Sequence, residues 1–290
     1  MPPPESNPIN AATRLCAVFG SPIKHSASPA MHNAAFAALG LNWRYIACEV
    51  DPKNLRAAIE GAKVMNFAGV NLTVPHKLLA VDMVDSLDAS AKKWGAVNTI
   101  RFDEKGATGF NTDADAIVTS LREDLKVELR GAKVLLLGAG GAGRTAALKL
   151  AAENVAELFL VNRTQSKAEE IAAEIKKQFP SVKVATGFPQ SDVDLVLNAT
   201  SLGLKADDAS PLDEKSFSLK HARAVYDMIY RPAETVLLAA AKKSGCRTAN
   251  GLGMLLHQGA KAFEIWTGKP APLAVMRRAL EENIYGGAKS

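Results

Sequence analysis

Long apolar runs, cysteine clusters and targeting signals are all missing from this sequence of 290 residues. No apolar stretch approaches the roughly 20 residues that a membrane-spanning helix needs, so we expect no membrane partner. Residues 1–8 have neither the basic start nor the apolar core of a signal peptide, and we expect a short disordered lead-in there. The three cysteines, at positions 16, 48 and 246, are too few and too scattered for a disulfide framework. This usage is typical of a reducing compartment and predicts a cytoplasmic protein.

Strong charge asymmetry is absent as well. The formal net charge is +5, from 35 basic and 30 acidic side chains. No basic run and no interleaving of basic with aromatic residues occurs, which argues against nucleic-acid binding. A mild positive excess suits anionic small molecules instead, and no metal site is predicted. With 48% hydrophobic and 22% charged residues, the chain has the composition of a globular protein long enough for two domains.

A glycine-rich stretch, residues 133–144, is the most informative segment that is present. An apolar run at 134–137 has the character of a buried strand. Gly138, Gly140 and Gly143 follow at G-x-G-x-x-G spacing, and residues 145–153 have a helical pattern. Strand, glycine turn and helix in this order are the context that a dinucleotide-binding fingerprint requires. The first glycine allows the tight turn, the second allows close approach of a pyrophosphate, and the third allows close packing of helix and strand.

The end of the next strand indicates which dinucleotide is bound. An NAD site carries an acidic residue there for the ribose 2′-hydroxyl, but here the strand at 158–161 runs into Asn162, Arg163 and Thr164. A guanidinium binds a 2′-phosphate that a carboxylate would repel, so we predict NADP(H). Lys167, one helical turn later, adds positive charge. The alternative is that Arg163 is a solvated surface residue and Thr164 a local cap.

Strands alternate with helices along most of the chain, which predicts an α/β fold with mainly parallel sheets and helical crossovers. Among the predicted helices are one at 29–39, with Ser28 as its N-cap, and one at 76–87. A third, at 166–179, has the Ser166 and Glu169 pair of a capping box. A helix at 113–125 marks the passage from a first α/β unit to a second.

The first unit carries the candidate catalytic groups. Lys77 stands in the first turn of the predicted helix, where the helix dipole disfavours a cation, and this position suggests a functional reason. A lysine can act as a general acid–base group for a carbonyl oxygen. Asp113, where a strand runs into a helix, is a second candidate, although a plain N-cap is the alternative. His76 is a possible rival acid–base group beside Lys77.

Several ordered motifs resemble those of the shikimate and quinate dehydrogenase family, and the resemblance extends from about residue 17 to residue 280. The segments that carry it are 25–29, 71–77, 95–99, 109–113, 138–144, 162–164, 198–203, 227–232 and 251–258. The resemblance implies reversible NADPH-dependent reduction of 3-dehydroshikimate to shikimate, on the route to chorismate and the aromatic amino acids. It also implies a substrate-binding and catalytic domain formed by residues 1–112 and 251–290, onto which the C-terminal helices pack back. Residues 113–250 would form a Rossmann domain that binds NADP.

The resemblance also assigns roles to individual residues. Lys77 and Asp113 would be the catalytic pair. Ser26 and Ser28 would bind the substrate carboxylate. The ring hydroxyls would be contacted by Asn71, Thr73, Asn98, Asp113 and Gln258, with Tyr230 lining the same pocket. The cofactor would be bound by Gly138, Ala139, Gly140, Gly141, Ala142, Asn162, Arg163, Thr164, Lys167, Thr200, Met228, Gly251 and Met254.

Two alternatives remain open at this point. A quinate or dual-specificity dehydrogenase would have the same fold, although the resemblance favours shikimate because Ser28 replaces the threonine of quinate-preferring relatives. A non-catalytic NADP-binding regulator is the other alternative, and the presence of both Lys77 and Asp113 argues against it. We expect a small-molecule substrate as the partner, and a monomer or a homodimer.

Overall fold

A computed structural model describes residues 8–205 and 207–286, so that residues 1–7 of the expected lead-in lie outside the described part. The chain divides into two compact units. The first takes the described residues up to Asp113 and from Leu255 onward, and the second is Ala114–Met254. The predicted borders lay at residues 112 and 250 instead. No helix within the described residues is both long and apolar enough to cross a membrane.

The first unit is built on a six-stranded sheet of order β2-β1-β3-β5-β6-β4. β5 runs antiparallel to both of its neighbours, and the other pairings are parallel. A mainly parallel sheet is therefore confirmed for this unit. The strands are β1 (Arg14–Gly20), β2 (Trp43–Glu49), β3 (Gly69–Leu72), β4 (Ser86–Leu87), β5 (Thr99–Asp103) and β6 (Gly106–Phe110).

The second unit is built on a six-stranded sheet of order β12-β11-β10-β7-β8-β9, and all of its pairings are parallel. This is the strand order of a doubly wound dinucleotide-binding sheet, with β7 as the first strand. The predicted Rossmann architecture is confirmed. The strands are β7 (Lys133–Leu137), β8 (Glu157–Val161), β9 (Lys183–Thr186), β10 (Val193–Asn198), β11 (Ala222–Asp227) and β12 (Arg247–Asn250).

Helices cover the sheets and bury their apolar faces against them. They are α1 (Ser28–Ala38), α2 (Leu55–Val64), α3 (Ala89–Trp94), α4 (Asp113–Leu125), α5 (Gly141–Ala152), α6 (Gln165–Gln178), α7 (Val236–Lys243), α8 (Leu252–Thr267) and α9 (Leu273–Tyr285). The core of the first unit includes Leu55 and Ile59 of α2 against Val70 and Ile100 of the sheet, all fully buried. This burial of apolar surface is the main favourable term for the unit.

The C-terminal helices pack on the first unit, as predicted. α9 lies against α1. Trp266, near the end of α8, is buried and donates a hydrogen bond of 3.0 Å from Nε1 to the carbonyl oxygen of Ile100 in β5. Gly69 of β3 leaves room for this indole, because a Cβ at Gly69 would lie 2.1 Å from Trp266 Nε1. The tryptophan therefore fixes α8 to the sheet.

The predicted helix at 76–87 is wrong. The chain makes turns after β3, forms a short 3-10 helix at Leu79–Met83 and then adds β4 to the sheet edge. Asp85 explains the difference, because its carboxylate accepts hydrogen bonds from Lys63 Nζ at 2.8 Å and from the Ala107 amide at 2.7 Å. These contacts draw the segment towards β6 and away from a helical path.

Two predicted helix caps are also wrong. α1 has Ala27 at its N-cap, and Ser28 is the first helical residue. α6 has Thr164 at its N-cap, without a side-chain capping bond, and the Glu169 carboxylate accepts from Gln165 Nε2 at 2.8 Å. In α6 a side-chain contact between residues one turn apart has replaced the predicted capping box.

Candidate active site

An ion pair joins Lys77 and Asp113 in the first unit. Lys77 Nζ donates to Asp113 Oδ2 at 2.8 Å, with 19% and 5% of the two side chains exposed. Lys77 lies in the turn after β3 and Asp113 at the start of α4. The predicted effect of a helix dipole on Lys77 is therefore wrong, since only a short 3-10 helix follows it and no α-helix begins there. What the structure shows instead is a partly exposed ammonium group held by a buried carboxylate.

The backbone around this ion pair is fixed on both sides. The Lys77 carbonyl accepts from the Val97 amide at 2.8 Å, which ties the lysine segment to the residues before β5. Asn111 Oδ1 accepts from the Asp113 amide at 3.2 Å, and Asn111 Nδ2 donates to the Ala96 carbonyl at 3.1 Å. Asn111 was not singled out from the sequence. Its position two residues before a helix start is the signal that could have identified it.

A buried amide network lies in the same unit. Asn71 Nδ2 donates to the Asn98 carbonyl at 3.2 Å and to Thr99 Oγ1 at 3.0 Å. Asn98 Nδ2 donates to Thr112 Oγ1 at 2.9 Å, and its Oδ1 accepts from the Thr112 amide at 2.8 Å. Gln258 of α8 joins the network, with Oε1 at 3.5 Å from Asn98 Nδ2. Buried polar groups are costly unless paired, so this network fixes each amide in one orientation.

Two serines stand at the N-terminus of α1. The Ser28 amide donates to Ser26 Oγ at 3.4 Å, and Ser28 is buried. A helix N-terminus with hydroxyl groups favours an anionic ligand. Thr73, which follows β3 directly and begins the turn, is partly exposed and donates its amide to the Phe19 carbonyl at 3.0 Å.

His76 faces the core of the first unit. Its ring is fully buried, and Nε2 lies 2.9 Å from the Val50 carbonyl oxygen. Burial lowers the pKa of the imidazole, which therefore stays neutral. A buried ring bonded to a backbone carbonyl suits a structural role, so the geometry favours Lys77 over His76 as the acid–base group.

The glycine turn of the second unit connects β7 to α5. Gly138 has φ +106°, a backbone conformation that only glycine adopts readily. Gly143 packs so closely on the turn that a Cβ would lie 2.2 Å from the Gly138 carbonyl oxygen. A Cβ at Gly140 would meet nothing within 4 Å, so this side of the turn is open to a ligand. The roles predicted for the first and third glycines are confirmed.

Residues at the end of β8 flank this turn. Asn162 Oδ1 accepts from the Ala139 amide at 3.0 Å, and Asn162 Nδ2 donates to the Thr164 carbonyl at 2.8 Å. Arg163 and Lys167 are exposed. Within residues 8–205 and 207–286 neither of these two cations forms an ion pair. Their charge is therefore available to an anion beside the turn.

A buried aspartate holds two further loops of the second unit. Asp227, at the end of β11, accepts from Asn198 Nδ2 at 2.9 Å and from Thr235 Oγ1 at 2.7 Å, and burial raises the pKa of its carboxyl. Asn198 in turn accepts from the Thr200 hydroxyl at 2.8 Å. Asp227 and Thr235 were not singled out from the sequence, since an acidic residue at a strand end gives no sign of its burial.

The remaining predicted residues belong to the second unit. Gly251 approaches the backbone at Met228, where a Cβ would lie 2.0 Å from the Met228 carbonyl oxygen. Met228, Tyr230 and Met254 are half-buried. Gly251 and Met254 had been placed in the substrate domain by the predicted border, and the structure groups them with the glycine turn instead. In the part of the chain that the structure describes, no cluster of three or more side chains is arranged to hold a metal ion.

Comparison with known proteins identifies the family. The model of the shikimate dehydrogenase substrate binding domain matches residues 18–100. Shikimate / quinate 5-dehydrogenase matches residues 120–204, and the shikimate 5′-dehydrogenase C-terminal domain matches residues 251–281.

Individual relatives resemble the chain over nearly its whole length. Shikimate dehydrogenase (NADP(+)) of Moorella thermoacetica is 43% identical over 290 residues, which cover 97% of this chain and 97% of that protein. A crystal structure of shikimate dehydrogenase in complex with NADP+ is 39% identical, with a TM-score of 0.87, covering 97% of this chain and 99% of that one. The Thermus thermophilus enzyme, in complex with NADP(H) and shikimate, is 36% identical with a TM-score of 0.83 and covers 93% and 99%. The chain belongs to the shikimate dehydrogenase family, as its motifs predicted.

Proposed function

We propose that this protein catalyses the reversible NADPH-dependent reduction of 3-dehydroshikimate to shikimate. The observation that carries the proposal is the Lys77–Asp113 ion pair, at 2.8 Å, in the unit that contains the match to the family's substrate binding domain. Reduction of a ketone needs a proton donor at the carbonyl oxygen and groups that hold the substrate in place. An ammonium oriented by a buried carboxylate meets the first requirement.

In this proposal Lys77 and Asp113 are the catalytic pair. Bound NADPH supplies the hydride that reduces the carbonyl carbon. Lys77 donates its proton to the carbonyl oxygen as that oxygen becomes a hydroxyl, and in the reverse direction it takes the proton back. Asp113 accepts the Lys77 hydrogen bond and keeps Nζ in one position, while its other oxygen remains able to accept from a substrate hydroxyl.

The substrate is an anionic polyol, and the proposed binding groups match that chemistry. Ser26 and Ser28 at the N-terminus of α1 would bind the carboxylate. The ring hydroxyls would be bound by Asn71, Thr73, Asn98, Asp113 and Gln258, and Tyr230 completes the proposed substrate-binding set. Amides fixed by a buried network lose little conformational entropy when they bind a ligand.

The second unit fits NADP(H) by its geometry. The close Gly143 contact and the open side at Gly140 leave the N-terminus of α5 accessible to a pyrophosphate. Arg163 and Lys167 would bind the 2′-phosphate, and no acidic side chain stands at the end of β8 to repel it. The rest of the proposed binding set is Gly138, Ala139, Gly141, Ala142, Asn162, Thr164, Thr200, Met228, Gly251 and Met254.

Other properties of the chain follow as part of the same proposal. The first unit would be the substrate-binding and catalytic domain, and the second the NADP-binding domain. A small molecule would be the partner, in place of a nucleic acid or a membrane, and the protein would act as a monomer or a homodimer. A cytoplasmic location suits its three free cysteines, of which Cys16 and Cys246 are buried.

Steady-state kinetics with two substrates and two cofactors tests the proposal. We expect the highest kcat/KM for the combination of shikimate with NADP, and lower values for quinate or NAD. The preference for NADP over NAD is expected because the guanidinium of Arg163 would bind the 2′-phosphate, which NAD lacks. A higher kcat/KM for quinate with NAD would establish the quinate dehydrogenase alternative. Binding of NADP without turnover of either substrate would establish the regulator alternative.

A further inference from the structure

Two segments of the first unit hold Lys77, one at its backbone and one at the end of its side chain. Its carbonyl accepts from the Val97 amide at 2.8 Å, and its Nζ donates to Asp113 Oδ2 at 2.8 Å. Val97 lies just before β5, and Asp113 is the first residue of α4. Because a lysine side chain is flexible, the position of Nζ depends on how firmly these two segments are held together.

The side chain of Asn111 joins the two segments. Asn111 Oδ1 accepts from the Asp113 amide at 3.2 Å, and Asn111 Nδ2 donates at 3.1 Å to the carbonyl of Ala96, the residue before Val97. With the two contacts of Lys77, these hydrogen bonds close a ring. Its members are Lys77, Val97, Ala96, Asn111 and Asp113. Displacement of one member would lengthen a hydrogen bond elsewhere in the ring, so the ring restrains the Lys77–Asp113 ion pair.

The ring is buried except at the Lys77 side chain, which is 19% exposed. Asn111 and Asp113 are each 4% exposed, and Ala96 is 1% exposed. Water therefore does not readily replace a lost partner of the Ala96 carbonyl or of the Asp113 amide, and a buried polar group without a partner costs free energy. The Asn111 side chain can satisfy both groups because an amide carries a donor and an acceptor.

The backbone of Asn111 is held independently of its side chain. Its amide donates to Ser90 Oγ at 2.9 Å, and Ser90 lies in α3. A local turn before a helix needs only the contact between Asn111 Oδ1 and the Asp113 amide. The donation from Nδ2 to Ala96 goes beyond that turn, and it favours a role in joining the two segments.

Asn98 forms a second link between the same segments, and this link ends one residue earlier. The Asn98 amide donates to the Phe110 carbonyl at 3.0 Å, and Asn98 Oδ1 accepts from the Thr112 amide at 2.8 Å. The contact to the Asp113 amide comes from Asn111 instead. Asn98 belongs to the proposed substrate-binding set, whereas Asn111 belongs to neither the proposed catalytic pair nor the proposed binding sets.

We infer that Asn111 is a positioning residue, which keeps Lys77 Nζ and the Asp113 carboxylate in place by joining the two segments that hold them. This inference rests on the proposed function, in which these two side chains are the catalytic pair. It deepens that function by adding a residue on which proton transfer depends. No atom of Asn111 needs to touch the substrate for this to hold.

The variant Asn111→Ala removes both contacts of the side chain. We expect kcat to fall about thirtyfold, because small displacements of a reacting group are costly, while the KM for shikimate rises less than about threefold. The KM for NADP should stay within twofold, since the proposed cofactor residues lie in the second unit. Asn111→Ser keeps an acceptor for the Asp113 amide but loses the donor to Ala96, so its kcat should be only about fivefold below that of the wild type.

Asn33→Ala is the matched control for lost stability. The Asn33 side chain also joins a backbone amide and a backbone carbonyl in the first unit, both of Tyr45 and both at 2.9 Å. Asn33 lies outside the proposed catalytic and binding sets. The control should lower the Tm about as much as Asn111→Ala does and leave kcat within twofold. A kcat for Asn111→Ala no lower than that of Asn33→Ala would overturn the inference.

A double-mutant cycle with Lys77→Ala separates positioning from a general loss of structure. In the Lys77→Ala background, Asn111→Ala should lower the residual kcat less than twofold, because the ion pair that Asn111 positions is already gone. A further thirtyfold fall would overturn the inference. If Asn111→Ala does not fold, Asn111→Ser enters the same cycle, with a fivefold effect expected in the wild-type background and less than twofold in Lys77→Ala.

Turnover by the wild-type enzyme is measured first. Its absence would refute the proposed function and with it the role of Asn111. Turnover by the wild type together with an unchanged kcat in both Asn111 variants would refute the positioning role alone.

Discussion

The glycine turn of the second unit is made of backbone, whereas the Lys77–Asp113 site of the first unit is assembled from side chains. The turn is one continuous stretch, in which Gly138 has φ +106° and Gly143 packs against its carbonyl. The other site collects its groups from the turn after β3, from the start of α4 and from α8. In a backbone site, an added side-chain atom disturbs the geometry and lowers stability. In a side-chain site, the loss of a particular donor or acceptor lowers activity.

The largest effect that would test this comparison is the loss of the Lys77 ammonium. In Lys77→Ala we expect kcat to fall by about 10³-fold, the middle of the range for a general acid–base group. NADP affinity, measured by fluorescence titration, should stay within twofold, because the proposed cofactor residues lie in the second unit.

A matched control for that variant is Lys63→Ala. Lys63 Nζ also lies 2.8 Å from a carboxylate, that of Asp85, but this pair is on the surface with 35% and 48% of the side chains exposed. Its loss should change kcat less than twofold, since surface ion pairs contribute little. If Lys77→Ala keeps more than a tenth of the wild-type kcat, another group supplies the proton.

The second largest expected effect comes from a substitution in the glycine turn. Gly143→Ala would set a methyl group 2.2 Å from the Gly138 carbonyl oxygen, and neither atom can move without displacing the turn. We expect the free energy of unfolding to fall by about 2–3 kcal/mol, as in other overpacked sites, measured by urea denaturation.

Gly140→Ala is the control within the same turn. Its Cβ would meet nothing within 4 Å and its φ of −77° suits any residue, so the loss should be below about 1 kcal/mol. The variant should still weaken NADP binding if the pyrophosphate approaches this side. Equal destabilisation by the two alanines would contradict a specific role for the third glycine.

The same contrast explains how much could be predicted from the sequence. The individual glycines of the turn could be predicted, because Gly138 and Gly143 act through local backbone geometry and their spacing in the sequence is typical of that geometry. The helix dipole predicted at Lys77 is absent, because no α-helix begins there and the contacts of Asp85 with Lys63 and Ala107 lie outside the local pattern. The proposed role of Lys77 came from the family resemblance.

Residues that act behind a site are the hardest to predict. In the sequence Tyr45 has the pattern of an ordinary strand residue, and only the fold reveals that its hydroxyl donates to Asn71 Oδ1 at 2.7 Å. The sequence likewise places Asp227 only at the end of a strand. In the structure it is fully buried, and its carboxylate accepts hydrogen bonds from Asn198 and Thr235. Such partners are set by tertiary contacts between elements distant in sequence, which neither hydrophobic period nor spacing encodes.

The smallest expected effect comes from His32, whose ring stacks on the Tyr45 ring with the centroids 4.3 Å apart. The ring is fully buried against Tyr45, and both ring nitrogens lack a hydrogen-bond partner among the described residues. Burial lowers the pKa of His32 from 6.5 to about 3. Between these values the unfolded chain binds a proton that the folded one does not, so stability falls as the pH falls below about 6.5.

Replacing His32 with Phe should remove this pH dependence and keep the stack with Tyr45. Between pH 7.5 and pH 5.5 the wild type should lose about 1.4 kcal/mol more of its free energy of unfolding than His32→Phe does, by urea denaturation. His76 also has its pKa lowered by burial, but it is present in both proteins, so its contribution cancels in the difference. Parallel pH profiles would show that His32 is protonated or hydrated in the folded state. Tyr45 would then pack against a charged or hydrated ring and not against an apolar one.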